Sequence, residues 1–224
     1  MASTSWSAEN ATKAYLSTLK MGQKAKEPSV AEYISALAAG NNAQLMVVAS
    51  AAAADSTTLA LIAAANQTNG NVICIVPNNE DLIASKNFLG VAANQVELMV
   101  GKEAQGLDVV NKGDFVVIDC NLVNHEEIVE LVQIGDGNKK KGVVVVGYNA
   151  FGCKGCWKSC VSKTQLLPIG EGLLVTRFGE NNAISPKFGS GLSKSVQSRW
   201  IVKVDKCTGE EHVYRIRLPQ RKVI

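Results

Sequence analysis

The middle of the chain alternates between short apolar runs and longer amphipathic segments. Five runs have the length and Val/Ile content of buried strands: LMVVAS, NVICIV, QVELMV, DFVVIDC and VVVVGY. Three segments of helical length lie between or after them: STTLALIAAANQT, NEDLIASKNFLG and HEEIVELVQIG. The stretch around Gly106 is predicted to be a loop. Since continuous apolar strands alternating with helices are buried on both faces, the pattern predicts a doubly wound parallel sheet.

Both ends of the chain depart from this alternation. AENATKAYLSTLK, with Ser7 placed to cap it, and VAEYISALAAG, which Gly40 ends, predict two N-terminal helices. TQLLPIGEGLLVTRF predicts two short strands about a turn, and WIVKVD and HVYRIR predict a terminal hairpin. We therefore expect one structural domain, made of N-terminal helices (1–42), a Rossmann-like core (43–178) and a Gly/Ser loop with a basic hairpin (179–224).

Charge is distributed unevenly over the 224 residues. The formal net charge is +3, yet the segment from Lys187 to the end holds nine Lys or Arg against three acidic residues. A basic hairpin of this kind either binds an acidic partner or is a solvated sheet edge whose lysines prevent edge-to-edge strand pairing. We favour the second interpretation. Nucleic acid is not expected as a partner, because no aromatic stacking motif accompanies the charge.

Nothing in the pattern predicts a membrane segment. The first fifteen residues lack a basic stretch followed by an apolar one, and the longest apolar run is broken at Asp55 and Asn66. We expect a cytoplasmic protein, with the nucleus as the alternative. The six cysteines are then expected to be reduced thiols.

The turn after the first strand is unusual for a ligand loop. Open parallel sheets bind ligands beyond the carboxyl ends of their strands, where a glycine-rich turn is typical. Here the turn consists of Ser50 followed by four alanines, whose Cβ atoms disfavour positive φ and block close approach of a ligand. The helix start at Asp55, Ser56 and Thr57 offers N–H groups to an anion, or is simply capped by Asp55 or Ser56.

Three later motifs carry a resemblance to a known family. DFVVIDCN, KGVVVVGYNAFG and LLPIGEGLLVTRF follow one another in the order and spacing of the class I methyltransferases. Over residues 28–178 the chain is most similar to the small catechol and caffeoyl-coenzyme-A O-methyltransferases. WSAENATKAY, VAEYISALAAG and RWIVKVDKCTGEEHVYRIR extend the resemblance to a plant family of unknown function with this fold. The resemblance implies a mostly parallel seven-stranded sheet and S-adenosylmethionine as the cofactor.

The resemblance also implies where the functional residues stand. In those enzymes an acid after the second strand binds the ribose, and two carboxylates and an asparagine hold a divalent metal. Here Pro77 stands at the ribose position, Asp119 matches one metal ligand, and Asn149 and Ala150 stand at the other two. One carboxylate with one amide is a weak donor set for Mg²⁺ or Ca²⁺, so no metal is expected.

Two sets of candidate residues follow from this comparison. Asp119 and Asn149 are the candidate catalytic residues, with Asp119 as base or orienting group. The candidate cofactor-binding residues are Ser50, Ala51, Asp55, Ser56, Thr57, Pro77, Asn78, Asp119, Cys120, Asn121 and Tyr148. An aspartate at a strand end also accepts backbone N–H bonds in many folds, and this alternative stays open for Asp119.

A cysteine cluster follows the fifth strand. Cys153, Cys156 and Cys160 supply three soft ligands, and His125 is a candidate fourth for zinc. The neighbouring lysines would lower a thiol pKa, which makes a reactive cysteine the second hypothesis. Free thiols on a loop are the interpretation we favour. Cys74, Cys120 and Cys207 are predicted to be small core residues.

Other enzyme classes lack their motifs. The chain has no G-x-S-x-G elbow and no GxxxxGK[ST] loop, which argues against an α/β-hydrolase and a P-loop protein. Two functions remain. One is a non-catalytic binding or regulatory protein with degenerate cofactor and metal sites, whose partner is a small molecule or protein in the strand-end crevice. The other is an active S-adenosylmethionine-dependent methyltransferase with a remodelled pocket.

Overall fold

The computed structural model describes residues 6–21, 30–101, 104–135, 142–152, 164–178, 198–204 and 211–217. Its α-helices are α1 (Ala8–Met21), α2 (Val30–Gly40), α3 (Ser56–Thr68), α4 (Asn79–Leu89), α5 (Ala104–Lys112) and α6 (His125–Gly135). Its strands are β1 (Leu45–Ala49), β2 (Asn71–Val76), β3 (Glu97–Val100), β4 (Phe115–Asp119), β5 (Val143–Tyr148), β6 (Gln165–Leu167), β7 (Leu173–Phe178), β8 (Ser198–Val204) and β9 (Glu211–Arg217).

Seven of the strands form one sheet in the order β3-β2-β1-β4-β5-β7-β6. Strands β1 to β5 are parallel, and β7 runs antiparallel to both of its neighbours. The prediction of a mostly parallel seven-stranded sheet is therefore confirmed. Strands β8 and β9 pair antiparallel in a separate two-stranded sheet, as predicted for the terminal hairpin.

Apolar residues cover both faces of the large sheet. On one face, alternate residues of the central strands pack with buried residues of α1, α2 and α3, among them Ala14, Ile34 and Leu61. On the other face, the remaining strand residues pack with α5 and α6 through Val110 and Val132. This two-sided burial is why β4 and β5 are apolar along most of their length rather than alternating with polar residues.

The prediction of a loop between the third and fourth strands was wrong. The structure has helix α5 there, with Gly106 in its interior. A glycine inside a helix costs about 1 kcal/mol relative to alanine, so its local preference is against a helix. Val110 is 1% exposed and belongs to the core under the sheet, so tertiary burial outweighs this local preference.

The two N-terminal helices are joined to each other where α1 begins and α2 ends. Ser7 caps α1 by accepting a hydrogen bond from the Asn10 N–H at 3.2 Å, as predicted. The Ser7 N–H in turn donates to the Gly40 carbonyl at the end of α2, at 2.8 Å. Within the described part of the chain, no helix is long and apolar enough to cross a membrane.

The strand order creates a crevice above β1 and β4. From β1 the chain moves outward through β2 to β3, returns to the other side of β1 as β4, and continues to β5. The loops that leave β1 and β4 therefore diverge to opposite sides of the sheet. Ligands of open α/β folds bind at such a point, beyond the carboxyl ends of the strands.

Candidate functional site

The alanine-rich turn after β1 is tied to its surroundings by its own backbone. The buried Ser50 donates its N–H to the Ile75 carbonyl at 3.0 Å. The Ala54 N–H donates to the Ser85 hydroxyl of α4 at 2.7 Å, and that hydroxyl donates to the Asp81 carbonyl at 2.6 Å. These two turn amides are therefore paired with β2 and α4, although a glycine-rich ligand loop uses such groups to bind its ligand.

Asp55 caps helix α3. Its side chain accepts a hydrogen bond from the Thr57 N–H at 2.8 Å, so the capping interpretation of this aspartate is the observed one. Burial raises the pKa of Asp55, the hydrogen bond from Thr57 opposes that shift, and the nearby charge of Asp119 adds to it. A carboxylate of the chain itself thus occupies the helix N-terminus, where an anionic ligand group would compete with it. Ser56 is exposed in the first turn.

Asp119, at the end of β4, is 8% exposed and bonded to the chain around it. Its Oδ1 accepts hydrogen bonds from the Asn121 N–H and from the Asn149 Nδ2, both at 2.9 Å. Asn149 follows β5 in the left-handed region, with φ of 59°. Asp119 therefore accepts a backbone N–H bond, the structural alternative that the sequence left open, and it also links the ends of β4 and β5.

Tyr148 brings the ends of β1, β4 and β5 together. It is 5% exposed and lies opposite Asp119 in the parallel register of β4 and β5. Ser50 and Asp119 lie near its hydroxyl. Burial, followed by the charges of Asp55 and Asp119, raises the pKa of Tyr148 far above its usual range. The phenol therefore keeps its proton at neutral pH.

We call Ser50, Asp55, Asp119, Tyr148 and Asn149 the polar network. Asp119 and Asn149, which stand where the resembling enzymes have metal ligands, belong to this network and are hydrogen-bonded to each other. The Asn149 side chain points its N–H, not its oxygen, at Asp119. A cation between these two side chains would meet an amide donor, so the residues do not fit the divalent metal of the resembling enzymes. In the described ranges, no three His, Cys, Asp or Glu side chains are grouped to hold a metal ion.

The cysteines near the network are protonated thiols. Cys74 lies beside the hydroxyls of Ser50 and Thr58, with S···O distances of 4.0 and 3.6 Å. Burial raises the pKa of Cys74, and burial with the charge of Asp119 raises that of Cys120 to about 12. Both are buried, as predicted for small core residues. Neither is a nucleophile at neutral pH, because the thiolate is the reactive form.

The other cysteine hypotheses concern residues outside the described ranges. Cys153, Cys156 and Cys160 lie there, and so does Cys207. His125, the candidate fourth zinc ligand, begins α6 and is buried. The zinc and reactive-thiol hypotheses therefore stay predictions.

The residues after β2 divide between two roles. Asn78 caps α4 by accepting from the Asp81 N–H at 2.8 Å, and its Nδ2 donates to the Asp81 carboxylate at 2.8 Å. It is thus engaged with its own helix. Pro77 is exposed and lines a cavity.

That cavity has a volume of about 340 Å³. We call it the edge cavity, because the strand ends form one wall of it: Ala49, Ser50, Ile75, Val76, Pro77 and Gly101. The opposite wall comes from α5, α6 and the loop after β4: Val110, Leu122, Asn124, Glu127 and Ile128. Most of its apolar lining belongs to the core on the α5–α6 face of the sheet.

The sequence interpretation missed most of these cavity residues. It considered the residues after strands one, two, four and five, and so omitted Gly101, which follows β3. Glu127 carried no signal beyond being an acid in the first turn of a helix, where acids are common. Of the predicted residues, only Ser50 and Pro77 line the edge cavity.

Solved structures of methyltransferases share this fold. A methyltransferase from Geobacter sulfurreducens superposes with a TM-score of 0.54 at 17% identity, over 77% of this chain and 91% of its own. A Staphylococcus aureus protein provisionally described as a caffeoyl-CoA O-methyltransferase gives 0.53 at 15%, over 77% and 93%. An SAH-bound methyltransferase from Podospora anserina gives 0.53 at 11%, over 77% and 88%. The fold is therefore that of the class I methyltransferases.

Sequence comparison adds the family but no activity. No curated protein matches the chain. One family model does match, over residues 3–216, and its description is "protein of unknown function". Since this match spans nearly the whole chain, the protein belongs to that family, DUF1442.

Proposed function

We propose that this protein is a non-catalytic binding or regulatory protein that uses the class I methyltransferase fold without transferring methyl groups. The observation that carries the proposal is the polar network. The Asp119 Oδ1 holds two hydrogen bonds from the chain, at 2.9 Å each, at the point where an enzyme needs its base or metal ligand. The groups that would act on substrate are bonded to one another instead.

The turn after β1 does not favour binding of an S-adenosyl cofactor. A related fold, the Podospora methyltransferase, binds SAH. The N–H groups at both ends of the turn, those of Ser50 and Ala54, are paired within the chain. The alanine Cβ atoms between them obstruct the close approach that an S-adenosyl ligand would need. The Asp55 carboxylate would also repel a ligand carboxylate at the start of α3. The usual methionine site is therefore a poor fit to these residues.

Proton transfer is disfavoured at the same place. A general base must reach the proton it removes and have a pKa near the working pH. Tyr148 stays protonated, because burial and two carboxylates raise its pKa. Asp119 is buried and already accepts the Asn149 amide. Neither residue is arranged to accept a proton from a substrate hydroxyl.

The test combines binding with turnover. We would titrate the protein with S-adenosylmethionine and SAH by calorimetry, with and without Mg²⁺, and follow transfer of a labelled methyl group to catechols. We expect no labelled product and no effect of Mg²⁺. The affinity of Asp119→Asn for either ligand should lie within about twofold of the wild-type value, a difference of less than about 0.5 kcal/mol. Asp108→Asn, on the exposed side of α5, is the matched control.

The second candidate function is an active methyltransferase with a remodelled pocket. The edge cavity favours it, since a concave site with apolar walls remains beside the network. Labelled product that disappears in Asp119→Asn but not in Asp108→Asn would establish this enzyme and overturn the first proposal.

A further inference from the structure

Strand β3 is an open edge of the large sheet. It pairs with β2 on one side, and in the part of the chain that the structure describes no strand lies on its other side. The Gly101 N–H, just after β3, donates to the Val76 carbonyl of β2 at 2.9 Å. Because the backbone groups of successive strand residues alternate in direction, those of Leu98 and Val100 lie on the open side. A further strand could pair with them.

The open edge of β3 lacks the features that usually protect an edge strand. Such strands are generally blocked by lysines, a proline or a bulge. After Glu97, β3 consists of Leu98, Met99 and Val100, which are uncharged and half-buried. Leu98 and Val100 pack with the core on the α4 side of the sheet, and Met99 packs on the other side. An edge of this kind favours pairing with another strand.

Helix α4 carries an exposed apolar side chain toward the same edge. The Ser85 hydroxyl of α4 accepts the Ala54 N–H of the turn after β1, so this side of α4 faces the middle of the sheet. Ile83 lies about 200° around the helix from Ser85, since each residue turns an α-helix by about 100°. It therefore lies on the side of α4 toward β3, where it is 59% exposed.

The charges of α4 are arranged symmetrically about Ile83. Glu80 and Lys86 stand three residues before and after it, both are exposed, and neither forms an ion pair within the described ranges. In an antiparallel pair of α4 helices centred on Ile83, Glu80 of each copy would lie level with Lys86 of the other, about 4.5 Å along the axis from the centre. The surface of α4 is therefore complementary in charge to a second copy of itself.

The spacing of strands and helices fits the same arrangement. Helix α4 connects β2 to β3 and packs on both strands. Neighbouring strands are about 4.8 Å apart, so a helix above the β2–β3 pair would lie about 5 Å from a two-fold axis that passes between two paired β3 strands. The two α4 helices would then be about 10 Å apart, close to the separation of packed helices.

We infer that the protein forms a two-fold symmetric dimer, in which the β3 edges of two copies pair antiparallel and their α4 helices pack across the seam. Met99 of one copy lies opposite Met99 of the other, and Leu98 of each exchanges backbone hydrogen bonds with Val100 of the other. Ile83 is the apolar centre on the α4 side, inside a charged rim. A two-fold interface joins a surface to itself, so one chain supplies both halves. The inference is independent of the proposed function, because methyl transfer and the polar network do not enter it.

Sedimentation velocity of the full chain, from about 1 to about 100 µM, measures the dimer. We expect the mass of two chains at the upper concentrations. Ile83→Asp puts a charge at the apolar centre and should weaken dimerisation by about tenfold or more, which is about 1.4 kcal/mol. Val123→Asp changes a fully exposed apolar residue in the loop after β4, so this matched control should dimerise like wild type.

Charge exchange tests the antiparallel register of the helices. Glu80→Lys and Lys86→Glu each bring like charges to the same level, and each should weaken self-association by about tenfold. An equimolar mixture of the two variants should dimerise within about threefold of wild type, since each copy then meets its opposite charges. A defect in folding could not produce this recovery.

Val100→Pro tests the strand pairing separately. The Val100 N–H lies on the open side, so proline removes no hydrogen bond to β2, and edge strands tolerate proline at such positions. The variant should keep the circular dichroism spectrum of wild type and lose the dimer.

Four results would overturn the inference. They are a wild-type monomer at about 100 µM, a dimer that Ile83→Asp leaves intact, a dimer that Val100→Pro leaves intact, and a mixture of the charge variants that stays monomeric. None of them bears on the proposed function, which is tested by methyl transfer.

Discussion

The two sides of the sheet's carboxyl edge have opposite characters. On the α3 side, the polar network fills the crevice, and the Asn149 amide donates a hydrogen bond to Asp119 across the ends of β4 and β5. On the α5–α6 side, the edge cavity stays open between apolar walls. The two regions meet at the end of β1, where Ala49 lines only the cavity and Ser50 belongs to both. Successive strand residues point to opposite faces, so one strand end serves both regions.

Side-chain size explains much of the contrast. The buried side chain of Tyr148 fills the network side. On the cavity side, Ala49 and Gly101 leave room. A Cβ on Gly101 would lie 2.8 Å from the Ile75 Cγ2, so even alanine there would push against the cavity wall. One half of the strand-end crevice is thus filled by side chains, while the other half stays open.

The largest effect should come from removing the centre of the network. Asp119→Ala leaves the Asn149 amide and the Asn121 N–H without their acceptor. We expect the free energy of unfolding to fall by about 2–4 kcal/mol, because buried polar groups without a partner are costly. Denaturant unfolding measures this loss. Asp108→Ala, on the exposed side of α5, should change stability by less than about 0.5 kcal/mol.

If the free energy of unfolding of Asp119→Ala equalled that of wild type, the contrast between the two regions would not hold. The polar network would then be a solvated ligand site rather than part of the folded framework. In that case water replaces the lost carboxylate, and the case for a non-catalytic protein weakens with it.

A smaller effect is expected where the alanine turn is fastened to α4. Ser85→Ala removes the hydroxyl that accepts the Ala54 N–H at 2.7 Å, in a position that is fully buried. The expected loss is about 1–3 kcal/mol, the range for one buried donor left unpaired. Hydrogen exchange of the Ala54 amide should accelerate more than that of central β4 amides. Ser56→Ala, exposed at the start of α3, is the control and should spare the Ala54 amide.

The smallest effect should depend on pH. Burial raises the pKa of Asp55 in the folded state, so the protonated carboxyl favours folding. That contribution is fully present below the unfolded-state pKa and is lost as pH rises through the folded-state pKa. At neutral pH, Asp55→Asn should therefore raise the unfolding temperature, since it removes a buried charge and Asn caps a helix about as well as Asp.

Thermal unfolding of wild type and Asp55→Asn from pH about 3 to about 8 measures this difference. The gain should shrink on acidification and vanish once both folded and unfolded Asp55 are protonated. A loss of stability at neutral pH would show that the charge of Asp55 at the helix N-terminus outweighs its burial. Asp55→Ala, which loses the cap as well, should be less stable than Asp55→Asn by about 1 kcal/mol.

Much of the fold was predictable because its signals are local. The apolar runs became β1 to β5, and the two short strands about the IGEG turn became β6 and β7, with Gly172 in the left-handed region at φ of 90°. The hydrogen bond from Ser7 and the two N-terminal helices also follow from neighbouring residues alone. The prediction of a loop around Gly106 was wrong for the opposite reason. Burial of Val110 under the sheet stabilises a helix there, and that burial is not a local signal.

The sequence by itself determined the class of fold and the unusual residues of the site, since the alanine turn, Pro77 and Asn149 are visible in the sequence alone. Only the tertiary structure decided how these residues act together. Hydrogen bonds such as that from Asn149 to Asp119 join residues 30 positions apart, and no local pattern encodes them. The edge cavity is likewise a space between five separate segments, and its shape exists only once strand order and helix packing have brought Gly101 and Glu127 to facing walls.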